Sequence, residues 1–215
     1  MPVRGRVVSE GIRFAAGVAS KPSDVVSLWK TAAGGKAVGC LPETPVPELL
    51  LAANLLPIAL ESPGDLSLLS DHIDVWLVGM DSSPFSVPPD GKPRFTFHCV
   101  PPGRVEDALD RVEALAEWVG AVSGSQASEG GLWKSIRACA IRRSLLDALD
   151  ERFTRESGFL TPEERRDIVR AGIFLPPEAH SRLLSSILAV EHEPAAILTE
   201  GERGDPLIAL AKRLT

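Results

Sequence analysis

Apolar and polar positions along the chain change their period twice, and the expected elements follow from that. Up to about Ala33 the pattern is helical with loops. Ser23 and Asp24 are placed to cap a helix opening at Val25, and Gly34-Gly35 ends it. Lys36-Ala37-Val38-Gly39-Cys40 is a short apolar run between glycine and proline, which predicts a buried strand. A proline-rich turn follows, with Pro42, Pro45 and Pro47. Glu48 to Leu55 is then apolar nearly all round, which predicts a short buried helix. A proline just inside its start loses no hydrogen bond there. Pro57 to Leu60 and Ile73 to Gly79 read as the next strands, with a helical or turn segment around Leu66 to Ser70 between them. Ser82 to Lys92 reads as a surface loop. Arg94 to Val100 alternates, with Phe95 and Phe97 on one face and His98 on the other, as a half-buried strand does.

From Val105 the period lengthens. Val105, Leu109, Val112, Ala116 and Val119 recur at helical spacing until Gly120, the expected stop. Ser128 is placed to cap a second long helix that carries Leu132, Ile136, Cys139, Ala140 and Leu146 on one face. Thr161-Pro162-Glu163-Glu164 has the form of a capping box with proline at the first helical position. Pro176-Pro177-Glu178 opens a further helix to about Leu188. Ala195 to Thr199 reads as a strand, and Pro206 opens a final helix. Strands alternating with helices predict an α/β fold: a parallel sheet with flanking helices, plus a block of long helices. The expected division is 1–103 for the sheet domain, 104–190 for the helical block and 191–215 for a strand–helix remnant.

Composition narrows the function classes. Of 215 residues, 44% are hydrophobic and 24% charged, so a packed core is expected. The net charge of −6 opposes a nucleic-acid role, which needs a basic footprint. No apolar run reaches the roughly 18 to 20 residues of a membrane span. The longest, Leu49 to Leu60, is interrupted by Asn54 and Pro57. No stretch near the start has the form of a secretory signal, so the expected location is the cytoplasm. Cys40, Cys99 and Cys139 are scattered, with no C-x-x-C pair. They are expected to be buried thiols rather than a disulfide framework.

Few residue groups point to chemistry on their own. His98 and Cys99 are adjacent on an expected strand, so they face opposite ways and do not make a catalytic dyad. Asp81-Ser82-Ser83 follows the end of a strand, where open parallel sheets bind ligands. The plainer reading is a turn whose own side chains cap it. Glu200, Glu202 and Asp205 would repel a phosphate from the loop that holds them. No dinucleotide-binding or Walker pattern is present. Arg143 has Asp147 four residues on, in ion-pair range on a helix. Its other reading is contact with a partner.

Several of these segments, taken in order, resemble the 2-hydroxyacyl-CoA dehydratase family, which includes the class I benzoyl-CoA reductases. Lys36-Ala37-Val38-Gly39 followed by Glu48-Leu49-Leu50-Leu51-Ala52-Ala53-Asn54-Leu55-Leu56-Pro57 is similar to the family's opening strand and P-E-E-L helix. Ile73 to Val78 resembles the strand leading to its Cys-Asp pair, and Ile136 to Leu146 a helix with Arg143 at the family arginine. Leu160 to Leu188 fits the helices that follow, and Ala195 to Gly201 the start of a second α/β domain.

The resemblance implies cysteines holding a [4Fe–4S] cluster for one-electron chemistry on a CoA thioester. At the two implied ligand positions this chain has Pro42 and Met80, and the Gly of the family's A-A-G is Asn54. Thioether is a poor replacement for thiolate at such a cluster. The resemblance therefore implies a cluster-less relative: a non-catalytic interaction or assembly subunit, with no cofactor, in a homo- or hetero-oligomer with a related subunit. The alternative is an acyl-CoA-binding enzyme subunit of dehydratase or reductase type with an altered active site. A ligand would then approach Asp81, Ser82, His98 and Arg143. Neither nucleic acid nor membrane is an expected partner.

Overall fold

A computed structural model describes residues 5–41, 46–79, 91–97 and 105–189. The expected strand at 195–199 and final helix from Pro206 lie outside these residues. The chain forms two compact units, divided at 25/26 and at 136/137. One unit takes residues 26–136 and the other 5–25 with 137–189.

The first unit is an α/β sheet. Its elements are the end of α2 (Pro22–Ala33), β1 (Lys36–Leu41), α3 (Pro47–Ala52), β2 (Leu55–Ala59), α4 (Pro63–Leu69), a 3₁₀ turn at Ser70–His72, β3 (Val75–Gly79), β4 (Arg94–Phe97), α5 (Val105–Ser123) and the start of α6 (Glu129–Arg155). All strand pairs are parallel, in the order β2-β1-β3-β4. The chain steps from β1 to β2 on one side, then crosses β1 to place β3 on the other, as in doubly wound folds.

Strand periodicity puts the apolar residues on both faces. Val38, Cys40, Leu55, Val75 and Leu77 pack with Leu49 and Leu50 of α3 and with Leu109, Val112, Leu115 and Val119 of α5. Leu132 and Ile136 of α6 complete that core. Phe95 and Phe97 pack against it from β4, on one face as expected. Phe95 meets Trp118 at 5.3 Å between ring centroids. So α5 seals this face of the sheet. The opposite face carries Ala37, Leu41, Leu56, Ile58 and Trp76, all buried as well. A sheet covered on both sides explains why these strands read as unbroken apolar runs.

Pro57 sits inside β2, a position most strands forbid. The Leu60 amide donates to the Cys40 carbonyl at 3.0 Å. Amide direction alternates along a strand, so Pro57, three residues earlier, has its nitrogen on the side away from β1. Its missing N–H therefore breaks no bond of the β1–β2 ladder.

The second unit is helical. It contains α1 (Arg6–Ser20), most of α6, α7 (Pro162–Phe174) and α8 (Pro177–Leu188). α1 packs on α7 and α8. Arg142 donates to the Gly172 carbonyl at 3.3 Å, Arg152 to the Leu188 carbonyl at 2.9 Å, and Arg165 pairs with Asp150 at 2.8 Å, so α6 is tied to both following helices.

Element ends explain most differences from expectation. α2 opens at Pro22, not Val25, because proline is favoured in a first turn. α3 stops at Ala52 because Asn54 takes φ 57°. That left-handed conformation suits glycine or asparagine at a helix end. β2 therefore starts at Leu55, two residues before the expected strand. Gly120 does not end α5; Gly124 does, at φ 74°. On α6 the buried stripe continues through Leu145 and Leu149, not Leu146. Ser128 caps α6 through the Gly131 amide at 3.1 Å, and Thr161 and Glu164 form the expected capping box.

Candidate functional site

The sheet topology defines where a ligand would bind. In an open parallel sheet this is the crevice at the carboxyl ends of two strands from which the chain leaves in opposite directions. Here those strands are β1 and β3, which end side by side with Leu41 paired to Val78. In sequence, Pro42 directly follows Leu41 and Met80 directly follows Gly79. Asp81, Ser82, His98 and Cys99, with Pro42 and Met80, lie outside the described residues.

The described residues at this edge are committed to the fold. Cys40 is fully buried, with its side chain in the α3–α5 core rather than at the strand end. Ser62 caps α4: its Oγ accepts from the Asp65 amide at 3.1 Å and donates to Asp65 Oδ2 at 2.8 Å. Asp65 is itself buried, as is Glu48 in the first turn of α3. Helix N-termini after the strands are the usual seats of phosphate in such folds. Here a carboxylate already stands in each first turn, and like charge opposes a phosphate.

Arg143 belongs to the helical unit, where it is exposed on α6. It makes no ion pair with Asp147 among the described residues. Arg142, its neighbour, is the arginine that finds a partner. Cys139, on the same helix, is buried, and neither it nor Cys40 is in a disulfide.

The opposite, amino-terminal edge of the sheet holds a polar cluster that the sequence reading did not single out. Asp74 accepts from Lys30 Nζ at 2.7 Å through Oδ1 and from the Ala37 amide at 2.8 Å through Oδ2. Lys30 also donates to the His72 carbonyl at 3.2 Å, and Ser27 Oγ meets His72 Nδ1 at 3.0 Å. These bonds fasten α2 to the starts of β1 and β3. They lie at the end of the sheet opposite to ligand chemistry, so their role is structural.

His180 was also missed. Its ring is buried on α8 and its Nε2 lies 2.9 Å from the Ile168 carbonyl. A carbonyl only accepts, so Nε2 carries the proton and Nδ1 holds a lone pair. Among the described residues no hydrogen-bond partner reaches Nδ1. Burial pushes the imidazole down to about 4, the Ile168 bond opposes that shift, and the nearby Arg142 charge adds to it. The sequence signal was present: His180 occupies the apolar stripe of Leu183, Leu184 and Ile187 at helical spacing.

No group of three or more metal-ligating side chains occurs among the described residues. No described helix is long and apolar enough to cross a membrane. No protein-family model matches the chain, and no curated protein matches it.

Proposed function

We propose that this chain is a cluster-less relative of the 2-hydroxyacyl-CoA dehydratase and benzoyl-CoA reductase subunits, serving as a non-catalytic interaction or assembly subunit. The observation that carries this reading is the placement of Cys40. Of the three thiols it is the nearest in sequence to an implied ligand position, and its side chain is packed in the core between the sheet, α3 and α5. A thiol in that setting behaves as a small hydrophobe. The two implied ligand positions, 42 and 80, follow the ends of adjacent parallel strands, and they hold Pro42 and Met80. Asn54 supports the scaffold part of the reading, because its positive φ is one that the family's glycine would take without strain.

A second reading keeps ligand binding. The β1–β3 switch point favours it, since that crevice is where doubly wound sheets hold small molecules. The ligand would be an acyl-CoA near Asp81, Ser82 and His98. Titration calorimetry of the full chain against a panel of acyl-CoA esters separates the two. The preferred reading expects no heat of binding with any ester. Saturable one-to-one binding of any of them would move the conclusion to the second.

A further inference from the structure

We draw no further inference here: the strongest candidate, the groove of about 440 Å³ between α1 and α8 beside the exposed Val7 and Phe14, is a partly apolar face for which nothing in the structure shows what covers it.

Discussion

The Trp76 indole occupies the space that a side chain at Gly39 would fill. The two residues are directly paired between β1 and β3, and a Cβ on Gly39 would overlap the ring. Trp76 is fully buried, the largest side chain that is. Gly39 is one of the residues that carry the family resemblance, and its role here is packing rather than the approach of a ligand to the backbone.

A methyl group at Gly39 is therefore expected to be costly. Gly39→Ala should destabilise the chain by about 1–3 kcal/mol, as overpacked cores do. Trp76→Leu alone should also destabilise it, by removing buried ring. Combining the two should cost less than the sum of the single effects, because the smaller side chain makes room for the methyl. Urea unfolding of the four chains provides the comparison, and strict additivity would show that the two residues do not share one space.

Asp74 is the joint of the amino-terminal edge. Asp74→Ala leaves the Ala37 amide without its acceptor and the Lys30 ammonium with only the His72 carbonyl, at an expected cost of about 1–3 kcal/mol. Asp74→Asn keeps an acceptor for the Ala37 amide and should cost less than Asp74→Ala. Lys30→Ala should cost least, since the ion pair is partly exposed and solvent screens it. Denaturant midpoints in that order support the structural role assigned to the cluster.

His180 makes stability depend on pH. Its folded pKa, about 4, lies below the unfolded value of 6.5. The unfolded chain therefore binds the proton more readily, so this contribution is complete above pH 6.5. It is lost as pH falls through 6.5 toward 4. At pH 5 the loss relative to neutral pH should be about 2 kcal/mol. His180→Gln should be less stable at pH 7 but flatter between pH 7 and 5. Equal slopes for the two chains would contradict the burial of a neutral ring.

Two helical glycines should respond oppositely to the same substitution. Gly17 in α1 has open space where a Cβ would go, so Gly17→Ala should stabilise by about 0.5–1 kcal/mol. Gly172 in α7 has the His180 ring there, and Gly172→Ala should destabilise by about 1–3 kcal/mol despite alanine's higher helix propensity. Thermal unfolding of both variants checks the sign.

Much of the fold was legible because it rests on periodicity and punctuation. Apolar runs such as Val38–Cys40 and Val75–Leu77 announced strands of a parallel sheet, and Ser128, Thr161-Glu164 and Pro177 announced helix starts. Tertiary pairings were not legible. Nothing local says that Trp76 lies over Gly39, or that α5 seals one face of the sheet. Helix ends were misplaced where a residue other than glycine took a positive φ, as at Asn54. Of the expected ligand-approach positions, Arg143 is on the helical unit, while Asp81, Ser82 and His98 fall outside the described residues. His180 was overlooked because a histidine within an apolar stripe reads as one more buried position. Its unpartnered nitrogen depends on Ile168 and Gly172, which are distant in sequence.

Under the proposed function the chain assembles no thiolate set for an iron–sulfur cluster. The most direct test is anaerobic reconstitution of the full chain with iron and sulfide, followed by metal and sulfide analysis and an absorbance spectrum. The account predicts iron and sulfide well below one cluster per chain, with no change in Cys40→Ser beyond loss of stability. Stoichiometric iron and sulfide with the broad absorbance of a cluster, abolished by Cys40→Ser, would contradict it.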